Sequence, residues 1–127
     1  MNDIGHYPYQ VGIDAYGKGG FRFADMSHRG SLLCLPTGMH EWPVENTAQL
    51  SLSSLDPVLA LSEQVDVLLI GLGGDITALG PDIRAALRDK KIIVEAVATG
   101  GAVRTYNILL GEKRAVAAAL IAVDTVR

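Results

Sequence analysis

Cysteine, surplus positive charge, long apolar runs and complete catalytic motifs are what this chain is short of. Its one cysteine, Cys34, cannot form an internal disulfide, which fits a reducing compartment. Flanked by Leu32, Leu33 and Leu35, it reads as a small buried thiol rather than a reactive one. The net charge is −3, and Lys18, Arg22, Arg29, Lys90, Lys91, Lys113 and Arg114 are scattered between acids. Such a surface leaves no basic footprint for a phosphate backbone, so nucleic acid is not an expected partner. No stretch reaches the roughly 18 apolar residues that a membrane-spanning helix needs. The start, Met1 to His6, has neither a positive leader nor an apolar core, so a cytoplasmic location is expected.

The missing motifs narrow the chemistry further. His6, His28 and His40 lack metal-ligand spacing with one another or with Cys34, so no metal is expected. There is no Gly-x-Ser-x-Gly elbow for a hydrolase and no Gly-Lys-Ser/Thr for a phosphate loop. No catalytic residue is assigned, no cofactor is expected, and an enzyme is the less favoured class.

What is present is a globular composition, 49% hydrophobic and 20% charged over 127 residues. A chain of that size forms one domain, 1–127, that buries roughly 65–70% of its unfolded surface without a staple. Residues 1–9 read as a loosely held arm. Val11-Gly12-Ile13-Asp14-Ala15 and Phe21-Arg22-Phe23 alternate around Tyr16-Gly17-Lys18-Gly19-Gly20, a hairpin pattern that puts Phe21 and Phe23 on one face. After a turn over 25–30, Ser31 to Leu35 is a third strand, stopped by Pro36. Together these predict an N-terminal antiparallel meander.

From Thr37 to Ser54 the pattern is irregular, with Leu50, Leu52 and Leu55 marking a short strand or apolar flap. Asp56-Pro57 starts a helix. Val65 to Ile70 is a buried strand that breaks into Gly71-Leu72-Gly73-Gly74-Asp75. A helix over 82–90 and a strand over 92–97 complete a right-handed βαβ unit, which makes the two strands parallel. Thr99-Gly100-Gly101 then reads as a second glycine loop before a helix from Ala102 to about Leu110, with Ala102, Tyr106 and Leu109 on one face. Residues 115–123 are ambiguous, four alanines favouring helix and Leu120-Ile121-Ala122-Val123 reading as strand; they are taken as a last strand, its direction open.

If the two strands are parallel, both glycine loops leave the same edge of the sheet. Gly71, Gly73, Gly74 and Asp75 would face Thr99, Gly100 and Gly101 across a crevice, with Arg104 and Asn107 as donors beside a helix N-terminus. The plainer reading is two tight turns, with Arg104 paired to Asp75 or Glu95. A dinucleotide site is excluded because Ile76 stands where its third glycine belongs. Trp42 beside Pro43 is either a core plug or an exposed partner contact, the plug being favoured.

Several segments together resemble a known family: Tyr16-Gly17-x-Gly19-Gly20-Phe21-Arg22, Gly30-Ser31-x-Leu33, Trp42, Ile70-Gly71-Leu72-Gly73, and Thr99-x-x-Ala102-Val103-Arg104-Thr105-Tyr106-Asn107-x-Leu109 with Glu112 and Arg114. They are similar to small uncharacterised prokaryotic proteins related to the mitochondrial NADH:ubiquinone oxidoreductase complex assembly factor 3. The likeness runs from Val11 to Ile121, and Arg-Thr-Tyr-Asn is its most specific part. Val103 stands where the family often has cysteine. The resemblance implies a three-layer α/β domain with a central mixed, largely parallel sheet and no established enzymatic activity. It also implies a role in assembly through protein contacts, for a respiratory membrane complex in the mitochondrial relative. The alternative is a small-molecule binder or enzyme that uses the glycine-loop crevice for an anion. A homodimer through the apolar end strand and the Phe21/Phe23 face is a further expectation.

Overall fold

Short apolar runs punctuated by glycine and proline become β1 (His6–Tyr7), β2 (Ala15–Gly17), β3 (Gly20–Phe23), β4 (Met26–Arg29), β5 (Ser31–Leu35) and β6 (Gly38–Trp42). Then follow α1 (Asp56–Leu59), β7 (Val67–Gly71), α2 (Pro81–Asp89), β8 (Ile93–Val97), α3 (Thr99–Gly111) and β9 (Val116–Leu120). These elements belong to a computed structural model that describes residues 6–74 and 77–124.

One sheet has the order β1-β6-β5-β9-β7-β8, and a second, β2-β3-β4, is antiparallel. The larger sheet is mixed: β9/β7 and β7/β8 are parallel, while β1/β6, β5/β6 and β5/β9 are antiparallel. β7 is buried at every residue because it has a strand on either side and a layer on either face. Its alternation sends Leu68 and Ile70 into a cluster with Leu55, Val58, Ile83 and Leu87 on the α1/α2 side. Val67 and Leu69 enter a second cluster with Ala102, Val103 and Tyr106 of α3 and with Phe21 and Phe23 of the small sheet. That makes three layers, as the resemblance implies.

The last strand runs parallel to β7, with Leu69 beside Ala118, because α3 carries the chain back across the sheet. Its alanines suit this place, since small side chains let the layers above and below a central strand approach closely.

Elsewhere the fold departs from the sequence reading. The meander is β2-β3-β4, so the expected turn over 25–30 is mostly strand. Ala24 and Asp25 take the left-handed conformation (φ 51° and 62°) that turns the chain early. β5 accordingly leaves the meander and pairs with β6 and β9. Residues 47–49 and 53–55 are single 3-10 turns rather than a strand. The end of the supposed arm is pinned, His6 pairing with His40 and Tyr7 with Met39. The surfaces expected to support a homodimer are also consumed internally: β9 lies between β5 and β7, and Phe21 and Phe23 are buried.

Candidate functional site

The parallel strands end together, and their carboxyl ends open onto a cleft of about 660 Å³. One wall is Leu72, Gly73 and Gly74 after β7 with Gly100, Gly101 and Arg104 of α3; the other includes residues 45–47 and 121–124. This is where ligands commonly bind in open α/β sheets.

The cleft floor is a hydrogen-bonded seam. Thr99 Oγ1 accepts from the Gly73 N–H at 2.9 Å and donates to the Ile121 carbonyl at 2.7 Å. The Thr99 N–H reaches the Gly73 carbonyl at 3.1 Å, and the Ile121 N–H reaches that of Gly71 at 3.0 Å. Thr99, 1% exposed, thus ties together the ends of β7 and β9 and the start of α3. Gly71 is required by this closeness: a Cβ there would lie 3.0 Å from Thr99 Cα and Oγ1. Gly73 is required by conformation, with φ 75°.

Only part of the expected site survives intact. Gly73, Gly74, Gly100, Gly101 and Arg104 do meet on one cleft. Thr99 does not offer its hydroxyl to a ligand, because both of its roles are satisfied inside. Thr99-Gly100-Gly101 is not a loop but the first turn of α3, whose first helical bond runs from the Ala102 N–H to the Ala98 carbonyl at 3.0 Å. Its Gly100 and Gly101 N–H groups belong to the helix start, whereas that of Thr99 is taken. Arg104 is exposed and has no ion-pair partner among the described residues. Asp75 lies outside those residues.

Asn107 points away from the cleft. Its Oδ1 accepts from the Ile13 N–H and its Nδ2 donates to the Ile13 carbonyl, both at 2.8 Å, so one amide does what a neighbouring strand would do. Tyr106 donates its hydroxyl to the Val11 carbonyl at 2.7 Å. Burial, then the neighbouring Cys34, pushes the Tyr106 hydroxyl far above its usual range. Burial likewise pushes the Cys34 thiol up, so it is held neutral, as its apolar setting implied. Trp42 is the core plug: it is 3% exposed, and its Nε1 donates to the Ser54 carbonyl at 2.8 Å, so the ring is not available to a partner.

The opposite wall was not read from sequence. Glu45, Asn46 and Thr47 lie in the irregular stretch, where Asn46 Oδ1 caps the following turn by accepting from the Ala48 N–H. The Asn-Thr pair is a local turn signal, but nothing local says which strand end the turn faces. Val123 and Asp124 arrive there because their carbonyls accept from the Gly19 and Lys18 N–H groups of the β2–β3 turn. Among the described residues no cluster of three or more His, Cys, Asp or Glu side chains could hold a metal ion.

Comparisons with known proteins cover nearly all of this framework. A family described as protein of unknown function (DUF498/DUF598) matches residues 13–121. The crystal structure of an outer membrane protein from Bartonella henselae superposes with a TM-score of 0.89 at 47% identity, covering 93% of this chain and 99% of that one. An uncharacterised protein of Rhodobacter capsulatus is 38% identical over 109 residues, 86% of this chain and 82% of its own. The NADH dehydrogenase (ubiquinone) 1 alpha subcomplex assembly factor 3 of Xenopus tropicalis is 32% identical over 109 residues, 86% of this chain. That alignment spans 60% of the assembly factor's length. No helix among the described residues is long and apolar enough to cross a membrane. With Gly71, Thr99, Tyr106 and Asn107 all inside the matched span, the chain belongs to the DUF498/DUF598 family.

Proposed function

We propose that this chain is a non-catalytic interaction protein that assists assembly of a respiratory membrane complex from the cytoplasmic side, through the cleft at the carboxyl ends of β7, β8 and β9. The observation that carries the reading is the likeness to assembly factor 3 over 109 residues. The cleft's chemistry supports recognition of a polypeptide. Arg104 shares it with Glu45 and Asp124, and Leu72, Val97 and Val123 add apolar wall. A peptide segment brings donors, acceptors, charge of either sign and apolar side chains to such a mixture. A phosphate would gain Arg104 and the N–H groups of α3 but would face two carboxylates.

Deletion of the protein in its own organism tests this. The amount of assembled NADH:quinone oxidoreductase on native gels is expected to fall, and to recover with the wild-type chain but not with Arg104→Glu. Unchanged assembly in the deletion strain would sink the proposal. The second reading, a small anion in the cleft, rests on Arg104 beside the open N–H groups of Gly100 and Gly101. Inorganic phosphate or succinate at 100 times its Kd would then stabilise the fold by about 2.7 kcal/mol. A thermal midpoint that rises with either ion, and not in Arg104→Ala, would favour that reading.

A further inference from the structure

The two ends of the large sheet are finished differently. At one end the described part of β1 is two residues, His6 and Tyr7, and Pro8 with no N–H to donate follows it. At the other end β8 has five residues, no proline and an unbroken register with β7 from Ile93 to Val97. Its inner groups are spent: the Ile93 N–H donates to the Asp66 carbonyl at 2.9 Å, and the Val97 carbonyl accepts from the Leu72 N–H at 2.8 Å. Alternation therefore turns the backbone groups of Val94 and Ala96 outward, and no hydrogen bond reaches them from the described residues.

Along this edge Ile93 and Val97 are apolar and Glu95 between them is the one charged side chain of the strand. Ile93 is 65% exposed although it lies within a strand. Gly101 of α3 lies over Val97, where an added Cβ would meet Val97 Cγ2 at 3.5 Å. Helical periodicity then carries Thr105 and Ile108 along the same stripe toward the start of β8. Ile108 is 59% exposed. An open edge and exposed isoleucines thus occupy one margin of the α3 side.

We infer that two copies of this chain pair antiparallel along β8, about a twofold axis at Val94, so that their six-stranded sheets become one continuous sheet. The register follows from what each backbone group has free. With the axis at Val94, its N–H and carbonyl exchange bonds with the partner's Val94, and the Ala96 N–H reaches the carbonyl of the partner's Ile92. The Ile92 N–H already donates to the Leu87 carbonyl at 2.9 Å and is lost to either register, so an axis at Ile93 would keep only two bonds, from each Val94 N–H to the partner's Ile92 carbonyl, where the axis at Val94 keeps four. An axis at Glu95 would set two carboxylates directly opposite each other, which is repulsive. The axis at Val94 instead sets Ile93 opposite the partner's Glu95 and brings Glu95 diagonally near the partner's Lys91. The same patch serves both copies, as a closed twofold interface requires.

Sedimentation velocity over a concentration series tests the inference with the whole chain. The wild type is expected to dimerise, and Ile93→Glu to raise the dissociation constant by at least roughly tenfold by placing a carboxylate opposite the partner's Glu95. Adding Glu95→Lys to Ile93→Glu should restore the dimer, because the opposed pair then has opposite signs. Ile93 and Glu95 are both exposed, so these variants fold. Ile93→Cys combined with Glu95→Cys should cross-link two copies on oxidation, since facing Cα atoms at a non-hydrogen-bonded pair lie about 4.5 Å apart. A wild type that stays monomeric up to about millimolar concentration, or a dimer indifferent to Ile93→Glu, overturns the inference; in the first case the edge is left to a strand of another protein.

Discussion

On the side of the sheet covered by α1 and α2, Leu68 and Ile70 meet Leu55, Val58, Ile83 and Leu87, side chains without a polar atom. On the side covered by α3, Val67 and Leu69 meet Tyr106 and Val103, and the helix also reaches past the sheet to the backbone of Val11 and Ile13. The first side is held by burial, which is non-directional. The second adds hydrogen bonds that specify where an irregular segment must lie. Within Arg-Thr-Tyr-Asn the roles divide: Tyr106 and Asn107 clamp residues 11–13, and Arg104 alone of the expected donors faces the cleft.

The two sides should fail in different ways. Leu68→Ala, at a position with 0% exposure, should cost about 2–5 kcal/mol and lower the urea midpoint of the whole domain without changing the slope. Asn107→Ala removes both partners of Ile13 and should cost about 1–3 kcal/mol. Its effect should be local: amide exchange should accelerate over residues 11–17 well before it does in β7. Uniform acceleration through β7 would show that the two sides are one unit and the contrast empty. Tyr106→Phe keeps the ring and loses one bond to the Val11 carbonyl, so a cost of about 1 kcal/mol is expected, read from the same exchange profile.

The smallest effect lies at the β1/β6 margin, where the His6 and His40 rings stack with centroids 4.4 Å apart. Burial, and then the nearby His6 charge, hold His40 below its ordinary 6.5. The unfolded chain therefore takes up the proton first as pH falls. The contribution of neutral His40 is complete above the ordinary value and is lost as pH drops below it toward the lower folded-state value. Thermal midpoints across that window should fall for the wild type and flatten in His40→Gln; identical profiles would remove this margin from the account.

Much of the architecture was legible in the residues. The run ending at Ile70, the glycine break and the βαβ unit announce themselves by local periodicity, which depends only on neighbours in the chain, whereas the alanines of β9 fit helix as well as strand. What misled was also local. Asp25 to Gly30 has turn composition, yet Met26–Arg29 is strand because β3 offers it a ladder. Thr99-Gly100-Gly101 has loop composition, yet it is helical. Asn107 looked like a ligand group because an amide on a helix after a glycine loop carries no mark of where it points.

The sequence by itself determined the strand-helix-strand-helix order from β7 to α3, the parallel pairing of β7 with β8 and the convergence of Gly73 and Arg104 on one side of the sheet. Each of these follows from side-chain period, chain length and the handedness of a crossover. Only the tertiary structure decided that β5 leaves the meander, that Asn107 binds backbone 94 residues away in sequence, that residues 45–47 and 121–124 line the cleft, and that β8 is the outer strand of the large sheet among the described residues. Those outcomes depend on which distant backbone groups remain unsatisfied once the layers have packed, a quantity that no local pattern encodes.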